Sequence, residues 1–496
     1  MPMSTLEELS ISALARGSAQ AVEYDKRWIS WEEMRRVADQ VNALIDASGA
    51  DPHGPVVLIP RNRPSALAAL LGMIARGRHI RMVHVYQSPV GLVRDIGRLR
   101  PVAVVGAAED VSTTEVRSAL QASGIAGIAL TEMGAAAVPG SERSTASCDP
   151  PPPAPQIDLL TSGTTGPPKQ FALGYEMIAK QLVGVNVMNT ADITEPAKLS
   201  PWFLYYPLGN FSGLYAILPP VLQGIRCVLV ERFTLAAWHD YILRYRPYWT
   251  GLPTAGLQMI LEADIPAADL ASVRCVLSGA APLDPTVQRQ FEERYGKPIL
   301  LTYGATELGG PVSMMTLELY QQWGKKKLGS VGRPYAGAQL RIVDPDTGTV
   351  LPSGNEGLLE VISPRMGPDW IRTSDIAVLD EDGFLFHRGR ADGAIVRGGF
   401  KLLPDVIERA LGLHEAVSAA GVTGIPDKRL GQVPAVAVQL KPGVPPPAIA
   451  DLERHLRDQV EATHIPVTWR FVETLPYNPM MKLDRVALRR LFESPG

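Results

Sequence analysis

Apolar residues recur along the first third of the chain with two alternating periods. Residues 31–48 carry them at helical spacing, with Ser30 ahead as an N-cap. Residues 55–60 (PVVLIP) form a short unbroken apolar run, read as a buried strand. Residues 64–75 are helical again, their proline suited to a first turn, and 102–105 return to strand. This alternation predicts a largely parallel sheet covered by helices. Residues 134–155, rich in Ala, Ser and Pro, are expected to be a surface connection. Residues 200–213 are aromatic and then small, and 217–230 are apolar enough for a buried helix and strand. Residues 273–283 and 299–310 each read as a strand running into a small-residue loop, where α/β sheets place ligands.

A composition break at 389–402 (GRADGAIVRGGFKL) is charged and then glycine-rich. Beyond it, helix is expected at 404–413 and 449–462, and strand at 416–422, 433–440 and 467–472. The predicted fold class is therefore α/β. A large N-terminal domain of helix-covered β-sheets spans 1–390, and a small C-terminal α+β domain on a hinge spans 391–496.

The densest chemistry lies at 158–170, DLLTSGTTGPPKQ. An apolar run feeds a loop of hydroxyl and glycine residues closed by two prolines and a lysine, and a helix is expected from Phe171 onward. Strand, small-residue loop and helix together would aim backbone N–H groups at an anion. Ser162, Thr164 and Thr165 offer rotatable hydroxyl donors, Gly163 and Gly166 allow close approach, and Lys169 brings a full charge. This is polyphosphate chemistry. It is not a Walker A loop, because only two residues separate Gly163 from Gly166 and prolines precede Lys169.

Composition narrows the setting. With 496 residues, 46% of them hydrophobic, the chain can bury large cores in more than one domain. A net charge of −3 gives no nucleic-acid footprint. No apolar run reaches membrane-spanning length and no leader opens the chain. The three cysteines are scattered and the eight histidines form no metal-like spacing, so a reduced, cytoplasmic location and no structural metal are expected. A homodimer is left open.

The order T-S-G-T-T-G-x-P-K resembles the phosphate loop of the adenylate-forming superfamily of acyl-CoA synthetases, luciferases and adenylation domains. Further motifs in family order extend the resemblance over nearly the full chain. The resemblance implies ATP or AMP contacts from Thr161, Ser162, Gly163, Thr164, Thr165, Gly166 and Lys169. YGATE at 303–307 is similar to the family's Y-G-x-T-E loop. By that match Tyr303 and Gly304 lie beside adenine, Thr306 contacts phosphate, and Glu307 holds Mg²⁺ as a hard oxygen ligand. SGAAPL resembles the turn beside adenine and the acyl group, which brings in Gly279, Ala280 and Ala281. RTSD resembles the T-G-D motif, with Asp375 accepting both ribose hydroxyls and Ser374 in place of glycine.

GRADGAI is similar to the hinge motif. It assigns Arg390 to ribose or phosphate, Asp392 to the hinge, Gly398 and Gly399 to the CoA pantetheine path, and Lys401 to the phosphate side. Gly393 replaces the motif's second aspartate. LPYNPMMKLDR resembles the C-terminal element that carries the adenylation lysine, here Lys482, with Met481 where glycine is usual. The acyl pocket would take Tyr206, Asn210, Phe211, Ser278, Gly304 and Ala305. Asn210 stands where the family often has histidine and Ala305 where a larger Met is common, which favours a roomy pocket. The resemblance thus implies an ATP- and Mg²⁺-dependent acid:CoA ligase working through an acyl-adenylate on a bulky apolar acid, with CoA as cosubstrate. The alternatives are a stand-alone adenylation enzyme loading a carrier protein, and a nucleotide-binding pseudoenzyme.

Overall fold

The computed structural model describes residues 4–85, 87–148, 150–161, 169–183, 199–397, 400–478 and 481–493. It divides into two compact units, Met1–Pro247 and Tyr248–Gly496.

Among the described residues the first unit holds a seven-stranded sheet. Its order is Ala135–Ala137, Ala126–Leu130, Ala103–Ala107, Val56–Ile59, Ile80–Met82, Gln156–Thr161 and Lys169–Gly174. The inner pairings are parallel and both edges are antiparallel. Val56–Ile59 is buried throughout, as an inner strand covered on both faces must be. Trp31–Ala47 packs on this sheet as an amphipathic helix. It starts at a capping box in which Ser30 and Glu33 satisfy each other's backbone N–H groups. Pro64–Ala75 is buried on nearly every side. A second sheet runs Trp202–Leu204, Cys227–Leu229, Gln20–Tyr24, Arg27–Ser30.

Two expectations need correcting here. The chain does not enter a helix at Phe171: Lys169–Gly174 is a strand, paired antiparallel with Gln156–Thr161. Phe171 and Leu173 pair with Leu159 and Ile157 in that ladder, and helical winding starts only at Tyr175, after Gly174. The helix-dipole contribution expected next to the phosphate loop therefore does not follow. The 134–155 connection also contributes an edge strand, Ala135–Ala137.

Among the described residues the second unit contains three sheets. In one, Trp249–Gly251, Cys275–Gly279 and Ile299–Ala305 are parallel, and Gly310–Met314 returns antiparallel. Another is an antiparallel meander of Gln339–Val343, Glu356–Ile362, Ile371–Leu379 and Leu385–Arg390. The last is built on the long hairpin Val417–Asp427/Gly431–Leu440, with Thr468–Val472 alongside and the helices Pro404–Gly412 and Ile449–Arg457 packed over it.

Candidate active site

In the second unit, three chain segments far apart in sequence converge on Asp375. The Ile299–Ala305 strand brings Tyr303, whose hydroxyl donates to Asp375 Oδ2 at 2.6 Å. The Leu385–Arg390 strand brings His387, with Nε2 3.0 Å from Asp375 Oδ1, and sets Arg390 directly opposite Asp375 in the ladder. Thr373 orients the turn by accepting from Asp375 N–H at 3.1 Å while donating to the Leu359 carbonyl at 2.8 Å. Asp375 is only 6% exposed. Burial pushes its carboxyl up, but the bond and charge of His387, the Tyr303 hydroxyl and the Arg390 charge outweigh burial and hold it below the usual carboxylate range. Burial, with Asp375's charge, drives the Tyr303 phenol well above its ordinary value.

Lys482 completes the group. Burial, then the positive charge of Arg390, depresses its ammonium below the ordinary lysine range, while Asp375 and Glu307 pull the other way. Lys482 is half-buried, and the charges of Arg390, Asp375 and Glu307 all reach it. Its loop is a tight one. Asn478 accepts from the Lys482 N–H at 3.1 Å, and Met481 sits at φ 58°. That left-handed angle explains why glycine would suit position 481, and Met481 holds it at a cost of about 1–2 kcal/mol.

Glu307 lies exposed on the single turn Thr306–Leu308 that follows the strand, and Gly309 closes the turn at φ +64°. Gly304 is required by close approach, since a Cβ there would meet the Gly310 carbonyl oxygen at 2.4 Å. Gly279 is likewise pressed against Thr302, and Ala280 takes φ 67° in the turn before Ala281. Ser278 commits its hydroxyl to the Leu252 carbonyl at 2.9 Å. Ala305 packs half-buried against the core that includes Leu308.

The remaining predicted residues fall in both units. Thr161 and Lys169 face each other as the last pair of the hairpin. Ser162, Gly163, Thr164, Thr165 and Gly166, with Gly398 and Gly399, lie outside the described residues, as do the side chains of Thr161, Lys169, Asp392 and Lys401. Asp392 belongs to the short turn Ala391–Gly393, and Lys401 to the strand Phe400–Leu402. Tyr206 stacks on Tyr205 at 4.3 Å, and Phe211 on Tyr215 at 6.4 Å. Asn210 caps the helix Phe211–Leu222 by accepting from Gly213 N–H at 2.8 Å, so it has a structural reason to be asparagine.

Sequence reasoning missed three residues. His387 lies between the RTSD and GRADGAI motifs and in neither. Asn62, 2% exposed, clamps the Tyr206–Leu208 turn by donating to the Tyr206 carbonyl at 2.9 Å and accepting from Leu208 N–H at 2.8 Å. Asp158, on the strand entering the phosphate loop, is bonded to His79, Arg81 and Gln156. Asp158 carried a sequence signal, a polar side chain inside an apolar run, whereas Asn62 sits between Arg61 and Arg63 and His387 precedes Arg388.

Among the described residues no cluster of three metal-ligating side chains occurs, and no helix is long and apolar enough to cross a membrane.

The chain is similar to known proteins over most of its length. The AMP-binding enzyme family model matches residues 10–368, and the AMP-binding enzyme C-terminal domain matches 406–482. The 2-succinylbenzoate–CoA ligase of Bacillus pumilus (strain SAFR-032) is 30% identical over 349 residues, 67% of this chain and 68% of that protein. The sulfoacetate–CoA ligase of Cupriavidus necator is 29% identical over 373 residues, 71% of this chain and 70% of that one. In fold, ATP-bound MatB from Rhodopseudomonas palustris superimposes with a TM-score of 0.80 at 21% identity, covering 99% of each chain. The o-succinylbenzoate CoA synthetase of Bacillus subtilis, in complex with its acyl-adenylate, superimposes with 0.75 at 22% identity, again covering 99% of each. The chain therefore belongs to the AMP-binding enzyme family, the adenylate-forming superfamily of AMP-dependent acid–thiol ligases.

Proposed function

We propose that this enzyme is an ATP-dependent acid:CoA ligase acting through an acyl-adenylate on a bulky, mainly apolar carboxylic acid. The observation that supports it most is the half-buried Lys482 within reach of the charges of Arg390, Asp375 and Glu307. In the first half-reaction a substrate carboxylate oxygen attacks the α-phosphorus of ATP and pyrophosphate leaves. Lys482, Thr306 and the phosphate loop around Thr161–Lys169 offset the charge that develops, as preorganised stabilisers. Asp375 accepts the ribose hydroxyls, and Tyr303 with the 279–281 turn flanks adenine. Glu307 suits a Mg²⁺ ion carried on the nucleotide phosphates, where one or two carboxylates suffice; bound there, the ion neutralises phosphate charge.

In the second half-reaction the CoA thiolate attacks the acyl carbonyl and AMP leaves. For this, residues 391–496 move as a domain about Asp392. Lys482 withdraws, and Gly398 and Gly399 come to line the thiol's path. The acid is assigned by size: Ala305 adds little bulk, and an unfilled pocket forfeits contacts at about 20 cal/mol per Å² of its surface.

Pyrophosphate exchange over an acid panel tests the reading, followed by thioester formation with CoA. Because the relatives act on acids as unlike as 2-succinylbenzoate and sulfoacetate, the panel spans aromatic, medium-chain and small charged acids. Exchange with no acid would end the enzyme reading, and exchange without thioester would end the CoA assignment. Preference for acetate over every larger acid would overturn the size argument. Ala305→Met should shift preference toward smaller acids.

A further inference from the structure

Asp375 is held by two donors from two different strands, one on each oxygen: Tyr303 on Oδ2 and His387 on Oδ1. The two rings lie 5.9 Å apart between centroids, inclined at 30°, so they grip the carboxylate from one side. An ionised carboxylate offers about four acceptor positions. Among the described residues two are taken, one per oxygen, and two remain, again one per oxygen. Two free positions on neighbouring oxygens match the two hydroxyls of a vicinal diol. With a single donor the carboxylate plane could turn about χ2, whose well is broad; with one donor on each oxygen it cannot. The histidine side chain is 16% exposed, so the bond is largely shielded from water.

We propose that His387 is a positioning residue for nucleotide recognition: it locks the Asp375 carboxylate in the plane that receives both ribose hydroxyls and so sets the preference for ribo- over deoxynucleotides. This rests on the AMP-site reading above. Calorimetric titration of the whole protein with AMP, 2′-deoxy-AMP and 3′-deoxy-AMP tests it without knowledge of the acid substrate. The wild type should favour AMP over either deoxy form by about tenfold, one hydrogen bond to a charged group. His387→Leu should lose most of that ratio, weakening AMP about tenfold and the deoxy forms less than about twofold. His387→Gln, whose amide N–H reaches about as far as Nε2, should restore most of it. If the leucine variant does not fold, His387→Gln against His387→Ala decides by the same ratio. Equal weakening of all three ligands, or an unchanged ratio, overturns the positioning role and leaves the AMP site standing. A wild type that binds none of the three overturns the AMP-site reading and this inference with it.

Discussion

Asp158 and Asp375 are two buried strand aspartates, 5% and 6% exposed, each bonded to a histidine. They differ in what is left over. Asp158 meets His79 Nε2 at 2.7 Å, Arg81 Nε at 3.2 Å and Gln156 Nε2 at 2.6 Å. An arginine neutralises it, and it ties the Ile80–Met82 strand to Gln156–Thr161, where Arg81 is its ladder partner. Among the described residues Asp375 has a phenol and an imidazole in direct contact with its carboxylate, with the charges of Arg390 and Lys482 also acting on it. On the proposed reading, a His–Asp pair is thus a brace where nearly every acceptor position is filled, and a receptor where half are left for a ligand. The residue types alone do not decide which.

The sharpest way to break this contrast is through Lys482, which feels Asp375 and Glu307. Lys482→Ala should lower acyl-adenylate formation by about 10²–10³-fold, the usual cost of one preorganised donor. It should still convert supplied acyl-adenylate to the thioester. Pyrophosphate exchange and a thioester assay on the same variant read the two steps separately, and equal loss in both would remove Lys482 from the first step alone.

Exchanging the treatment of the two aspartates comes next. Asp375→Asn should weaken AMP by about 10–100-fold, the value of one or two hydrogen bonds to a charged acceptor, with a small change in melting temperature. Asp158→Asn leaves Arg81 buried without its anion and should cost about 3–5 kcal/mol of stability, while the folded fraction binds AMP within about twofold of wild type. Calorimetry beside thermal melts checks both. If Asp158→Asn abolishes binding without lowering the melting temperature, the brace is part of the site.

Much of this fold was legible in advance because its signals are local. The helix Trp31–Ala47 announces itself through Ser30 and its periodic apolar face, and Pro64–Ala75 through its proline start. What failed was what depends on partners far along the chain. Phe171 and Leu173 alternate as a strand should, but only for a few residues before Tyr175 begins helical winding, so the two periods merged into one. His79 and Asp158 lie 79 positions apart and meet only because their strands pair. His387 reaches Asp375 because the two strands carrying them are neighbours, a matter of register that motif spacing does not carry. Lys482 could be singled out by its place in a motif. Its burial beside Arg390 could not.

A smaller effect separates the two histidines. His79 is 6% exposed, and its Nδ1 has no hydrogen-bond partner. His79→Leu removes that unmet group along with one donor to Asp158, two changes of opposite sign. The net loss of stability should therefore be about 1 kcal/mol, below the cost of Asp158→Asn. The ratio of AMP to deoxy-AMP affinity should not move at all, in contrast to His387→Leu. A changed ratio would mean that Asp158 and Asp375 are not the brace and the receptor described above.

The smallest effect is the acid limb of stability. Asp375 is depressed in the folded protein, so the unfolded chain binds its proton more readily, at about pH 3.9. The sign follows: the stabilisation is fully present above that value and is lost as pH falls through the lower, folded one. Asp375→Asn has no such proton to take up. Denaturant midpoints followed downward from pH 5 should therefore fall less steeply for the variant than for the wild type, the two curves drawing together as the wild-type carboxyl protonates. Parallel curves over that range would mean that His387, Tyr303 and Arg390 do not favour the ionised form of Asp375. The carboxylate would still be ionised at neutral pH, and only the preference of its surroundings for that form would be lost.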